Sequence, residues 1–193
     1  TDFKQIVENA RLKLPFGIAQ MGRAYRNEIS PRNFLFRMRE FDMMEIEYFV
    51  HPKKETCPFL KEVEKVKLNV WSAEMQKKGQ KPEAISVKDI LKKKILKEWH
   101  LYWLAFEQKW FTELGCDPKR FRIRQHMKDE LAHYSTDCWD LEYNFPFGWK
   151  ELEGIADRGE YDLSRHMKFS GKDLRLFDEE KKEKFIPHVI AEP

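Results

Sequence analysis

Polar and apolar positions divide the chain into segments of different period. Between Asp2 and Lys13 the apolar residues recur at helical spacing and Leu14-Pro15 closes the run, which predicts a short amphipathic helix. Phe16 to Glu28, FGIAQMGRAYRNE, shifts to the two-residue period of a strand. Ser30-Pro31-Arg32-Asn33 supplies turn chemistry, and a second strand is predicted from about Phe34 to Val50, ended by His51-Pro52. The two strands read as an antiparallel hairpin. Past Pro58, FLKEVEKVKLNVWSAEMQKKG spaces Val63, Val66, Val70 and Trp71 as a helix would, until Lys78-Gly79-Gln80-Lys81-Pro82 breaks it. A second helix is predicted from Val87 to Leu114, its stripe running from Ile90 through Trp99, Trp103 and Phe106 to Phe111, with Gly115 at the C-cap. Such a stripe belongs in a core rather than on a base-stacking platform. RFRIRQH, CWDLEYNF and KELEGIADR then alternate as three more strands, the last two joined by a PFGW turn. The order predicts an α+β fold: residues 1–52 with the hairpin, a Lys-rich helical insertion at 53–114, and further antiparallel strands at 115–193.

Composition narrows the class. With 193 residues, 41% hydrophobic and 14% aromatic, the chain has the apolar mass for its own core and is not disordered. A mean hydropathy of −0.73 and the lack of any apolar run near ~18 residues predict no membrane association. TDFKQIVENARLK has no export-signal core. Cys57, Cys116 and Cys138 are scattered, which argues against a disulfide scaffold and fits a reducing cytoplasm. The six His show no HxxxH or Cys/His spacing, so side-chain metal binding of that kind is not expected, whereas a metal escorted by a nucleotide is compatible. The net charge of +3 hides an asymmetry: Lys53 to His100 carries thirteen Lys, no Arg and seven acidic residues. That segment is either a solvated surface or a diffuse contact for RNA phosphates.

The hairpin holds the candidate chemistry. Arg26 and Glu28 are two apart, and Arg37, Arg39, Phe41, Met43, Glu45 and Glu47 share the odd-numbered face of the second strand. Arg37 to Phe41 and Phe41 to Glu45 would each span about 13 Å of extended chain. Guanidinium, ring and carboxylate in that order suit a phosphate, a purine and an ammonium, although cross-strand ion pairs alone would also place them there.

RNEISPRNFLFRMREFDMMEIE closely resembles the second signature motif of class II aminoacyl-tRNA synthetases, an arginine–x–glutamate, a loop, then RxxxF. Its wording is similar to that of the homodimeric glycyl-tRNA synthetases. ELAHYSTDCWDLEYNFPFGWKELEGIADRGEYDLSRHMKFSGKDL resembles later strands of the same catalytic domain, and FIPHVIAEP resembles the approach to the glycine-pocket element, with Ala191 as a departure. The resemblance implies an ATP-dependent ligase that activates glycine and joins it to tRNA(Gly), using ATP and Mg2+. It implies catalytic roles for Arg26 and Arg37, and ATP contacts from Arg26, Asn27, Glu28, Phe36, Arg37, Phe41, Glu151 and Leu152. Glycine contacts would come from Phe41, Glu45 and Glu192, and Glu151 would help hold the magnesium that travels with ATP. It further implies a homodimer for the complete enzyme. Asp157-Arg158 resembles a family pair and is equally readable as a structural ion pair. His133 and Tyr134 read as core or rim, Lys172 and Asp173 as a surface turn, and Glu47 and Glu153 as supporting partners. No stretch resembles the family's first motif, TxE loop, third motif or anticodon-binding domain, so the chain is expected to be an excised piece of the catalytic domain, incomplete as an enzyme on its own. The rival readings are a non-catalytic synthetase-like RNA-binding or accessory protein, and a class II synthetase for another amino acid.

Overall fold

A computed structural model describes residues 2–54 and 56–190. Its elements run α1 (Phe3–Ala10), β1 (Phe16–Tyr25), β2 (Glu40–Val50), β3 (Lys67–Trp71), α2 (Ala73–Lys77), β4 (Glu83–Ser86), α3 (Val87–Lys92), α4 (Glu98–Glu113) and β5 (Phe121–Gln125). They continue with β6 (Asp137–Phe145), β7 (Gly148–Gly159), α5 (Tyr161–Ser170), β8 (Leu176–Asp178), β9 (Glu183–Phe185) and β10 (His188–Ile190). One sheet takes eight strands in the order β1-β2-β10-β7-β6-β5-β3-β4, and β8 and β9 form a separate small hairpin. All neighbours in the large sheet are antiparallel except β3 with β5. The α+β expectation holds.

Two apolar clusters explain the arrangement. α4 buries Trp99, Leu101, Leu104 and Ala105 against Leu68, Ile123, Trp139, Leu141 and Ile155 of the sheet. Its aromatic stripe is core, as the period implied: Trp99, Tyr102, Trp103 and Phe106 contact one another edge-on or stacked. His100, 1% exposed, ties the helix to β7 by donating from Nε2 to the Ile155 carbonyl at 2.8 Å. Burial holds its imidazole below the usual range, in the neutral form that can make that bond without a charge. The second cluster joins α1, α5 and the base of the hairpin through Phe3, Val7, Phe16, Phe49, Leu163 and Val189.

The hairpin is antiparallel as expected, with Phe16 opposite Phe49 and Tyr25 opposite Glu40. Its second strand, however, begins at Glu40 and not at Phe34. Asn33 and Phe34 take positive φ of 55° and 56°, which turns the chain so that Arg37 donates its backbone N–H to the Arg32 carbonyl at 3.2 Å. A larger difference lies in residues 53–114. Where one helix was expected past Pro58, β3 and β4 form strands of the main sheet, with only the short α2 between them. Leu68 and Val70 are fully buried while Lys67 and Asn69 alternate outward, so a two-residue period was hidden inside a coincidental three-to-four spacing. The expected helix from Val87 to Leu114 is also two helices. Ser86 caps α3, its hydroxyl accepting from Asp89 N at 3.1 Å, and Lys94 at φ 54° breaks the run before α4 starts. The lysine-rich segment is therefore woven into the sheet rather than being helical throughout. No helix among the described residues is long and apolar enough to cross a membrane.

Candidate active site

Among the described residues, β10 pairs with β2 at His188 and Val189, opposite Val50 and Phe49, and with β7 at Gly159 and Asp157. Away from that tie, residues 41–45 of β2 and 151–154 of β7 face each other across a cavity of about 630 Å³. A second cavity of about 370 Å³ shares Arg26, Phe41, Glu151 and Leu152 with the first. Glu28, Leu35, Phe36, Arg37, Met38 and Lys150 complete its lining. A third, of about 320 Å³, opens beside Glu28, Arg37 and Lys150. A larger cavity of about 760 Å³ lies at the far end of the sheet, lined by Lys65, Lys67, Lys109 and Lys119, and no motif residue reaches it.

Most motif residues thus meet at one seam. Arg26 follows β1, its N–H bonded to the Arg39 carbonyl at 2.9 Å, and its guanidinium carbon stands 5.4 Å from the Phe41 ring centroid. Glu28 is held by Arg37 at 3.6 Å, and its carbonyl accepts from Arg39 Nε at 2.9 Å. Phe36 sets its ring edge-on to Phe145 at 5.3 Å and Phe147 at 5.5 Å. Arg37 comes from the loop and not from the strand, so the expected extended spacing from Arg37 to Phe41 does not exist, yet the loop delivers Arg37 to the same cleft. Asn27 is exposed and lines neither of the two adjoining cavities. Glu45 lines the larger one. Glu192 lies outside the described residues. Arg26, Arg37 and Lys150 are three cationic groups at a seam that also carries the Phe36 and Phe41 rings, a surface suited to an anion carrying a flat ring.

The cleft floor holds groups that sequence reasoning passed over. His126 follows β5, with Nε2 2.7 Å from Asp140 Oδ1. Arg124 lies 3.6 Å from Asp140 Oδ2 and binds both Glu130 oxygens at 2.6 and 2.7 Å. Burial, with the Glu151 carboxylate nearby, pushes Asp140 up to about 6 despite His126 and Arg124. Glu153 is pushed up to about 8 by burial and by Glu107 of α4, itself raised to about 7 by burial. The signal was present in part: Cys138, Asp140 and Glu142 alternate with the apolar Trp139 and Leu141 along one strand, and polar groups at such positions need partners. Other expectations resolve into structure. Asp157 pairs with Lys97 at 2.7 Å and Arg158 with Asp162 at 2.6 Å, so the two neighbours are not each other's partners. Tyr134 lines the cleft beneath Arg158, 4.2 Å from its ring. Asp173 is gripped by Arg175 and Lys184 at 2.9 and 2.8 Å in a surface turn.

An antiparallel sheet with such a hairpin cleft defines a class, and the chain belongs to it: the family of the tRNA synthetase class II core domain (G, H, P, S and T) matches residues 3–191. Among curated relatives, the glycine–tRNA ligase of Geobacillus kaustophilus (strain HTA426) is 40% identical over 189 residues, which are 98% of this chain and 32% of the relative. The glycine–tRNA ligase of Staphylococcus aureus (strain JH9) is 39% identical over 189 residues, again 98% and 32%. That of Thermobifida fusca (strain YX) is 38% identical over 192 residues, 98% and 33%. The chain spans about a third of the length of the curated relatives it matches.

Proposed function

We propose that this chain carries the ATP- and glycine-handling surface of a cytoplasmic glycine–tRNA ligase, which would act in its complete form as a homodimer on tRNA(Gly). The observation that carries the proposal is the convergence of Arg26, Glu28, Phe36, Arg37, Phe41, Glu151 and Leu152 on adjoining cavities of one seam. Phe41 offers its face to adenine and Glu28 an acceptor for the adenine amino group, while Arg37 and Arg26 meet phosphate oxygens. Glu45 takes the glycine ammonium. The glycine carboxylate then attacks the α-phosphorus in line, pyrophosphate leaves, and the adenylate passes glycine to the 3′ end of the tRNA. No side-chain nucleophile is needed, because positioning and charge neutralisation supply most of the acceleration. Glu151, a hard oxygen donor at the seam, suits the magnesium that accompanies ATP and neutralises phosphate charge. Selecting glycine is the easier direction of discrimination, since a larger side chain must clash in a filled pocket. The three relatives described above all carry the glycine name, which favours glycine over another amino acid. An ATP-type array is also more than an accessory RNA-binding module needs.

The test is glycine-dependent ATP–pyrophosphate exchange in a protein of the relatives' length that carries this sequence. Arg26→Ala should lower it by about two orders of magnitude, the scale for one donor aimed at developing oxyanion charge. A loss under tenfold with the fold intact would remove Arg26 from the transition state.

A further inference from the structure

The cleft floor contains a group that ATP and glycine leave unused. Cys138 and Asp140 share a face of β6, and a backbone bond from His126 N to the Cys138 carbonyl at 2.9 Å fastens His126 beside them. The ligating atoms of these three side chains all lie within 4.8 Å of one another. Across the sheet the position opposite Asp140 is Gly154. A Cβ there would stand 3.6 Å from Asp140 Oδ1 and 3.3 Å from Glu151 Oε1, so glycine leaves the opening above the cluster clear.

We propose that His126, Cys138 and Asp140 form a binding site for one thiophilic divalent cation of the zinc class. Imidazole nitrogen, thiolate sulfur and carboxylate oxygen are the three donor types zinc takes, and three protein ligands with one open position is the arrangement of an accessible rather than a closed site. Tetrahedral bonds of ordinary length separate zinc ligands by about 3.3–3.7 Å, so the 4.8 Å span closes with small side-chain rotations. The ion takes the place of the proton between His126 Nε2 and Asp140 Oδ1, whose 2.7 Å separation widens by about 0.6–1 Å. Thiolate and carboxylate together balance the charge of the ion, binding releases the thiol proton, and the imidazole keeps its one proton on Nδ1. Arg124 supports the arrangement from behind: it faces Asp140 Oδ2 and is itself held by both Glu130 oxygens, which leaves Oδ1 directed at His126. Magnesium, which prefers oxygen ligands, is selected against by the sulfur and nitrogen. Arg26, Phe41 and Glu45 line the same cavity as the three ligands, so the open coordination position faces the place assigned to the amino acid. No metal spacing is visible along the sequence because the fold, and not the chain, brings position 126 to positions 138 and 140.

The test uses the 193-residue chain with Co2+ as a spectroscopic substitute, under reducing conditions and without ATP, glycine or RNA, so its outcome is independent of the ligase proposal. One equivalent of Co2+ should give a thiolate-to-cobalt band in the near ultraviolet with intense tetrahedral visible bands, and stoichiometric Zn2+ should erase both. Cys138→Ser should abolish the thiolate band, and His126→Gln or Asp140→Asn should weaken Co2+ affinity at least about tenfold. The double variant Cys57→Ser with Cys116→Ser should keep the spectrum unchanged. Circular dichroism establishes that each variant is folded. A thiolate band that survives Cys138→Ser, or no thiolate band in the parent chain at saturating Co2+, overturns the proposal.

Discussion

Glu45 stands on β2, an exposed carboxylate that lines the larger cavity, with Gln20 directly opposite on the neighbouring strand. Its charge, more than its bulk, is what a substrate ammonium would use. Glu45→Gln is therefore expected to raise the glycine KM about tenfold or more while leaving the ATP dependence of exchange unchanged. Equal weakening toward both substrates would make Glu45 a structural member of the hairpin. At this scale the sequence was readable where side chains follow a strand's period: Phe41 and Glu45 fall on one face because they are an even number of residues apart. Arg37 was assigned to the cleft by motif resemblance but placed there by a loop whose turn depends on left-handed backbone at Asn33 and Phe34. The partnership of His126 with Asp140 crosses from one strand end to the middle of the next, and nothing local in the sequence encodes that meeting.

Among the elements, α4 does most to hold the sheet in place. Leu104 is fully buried on the face that meets the strands. Leu104→Ala should cost about 2–5 kcal/mol, read as a fall in the denaturation midpoint with little change in slope. A cost below about 1 kcal/mol would mean that the helix is peripheral to the core. The α4 stripe was plain in the sequence because sixteen residues give the helical period room to repeat. β3 was not, because five residues of KLNVW fit either period and the preceding Val63 and Val66 tipped the pattern toward helix. The break at Lys94 has a different reason: lysine carries no turn signal, yet Lys94 takes a positive φ of 54°.

In the molecule as a whole, burial has drawn carboxyl groups upward where helix meets sheet. Glu107 is 8% exposed, with Glu153 of β7 its facing acid. A carboxyl raised from its ordinary value of 4.5 to about 7 in the folded state binds a proton that the unfolded chain has already lost. This group's contribution to stability is therefore fully present below about pH 4.5 and is lost as pH rises through 7, by an amount on the order of 2 kcal/mol between about pH 5 and pH 8. Glu107→Gln removes the titration, so its Tm should exceed that of the parent chain by several degrees at pH 8 and match it near pH 5; a constant difference across that range would assign the effect to packing. The strand order of the sheet lay beyond sequence reasoning altogether, since β10, only three residues long, sits between β2 and β7 from opposite ends of the chain. That placement has a mechanical consequence. Among the described residues the hairpin pairs with another strand at Phe49 and Val50, and its loop rests at the far end through Phe36 on Phe145 and Phe147, so it works as a lever seated at one end and steadied at the other. From Phe49 to Phe41 the strand measures about 26 Å, and a rotation of about 5° at the fulcrum carries Phe41 about 2 Å. The width of the cleft at Phe41 thus depends in part on side chains that do not line it: the fit of Phe49 against Phe3 and Phe16, whose ring centroids lie 4.8 and 5.1 Å away.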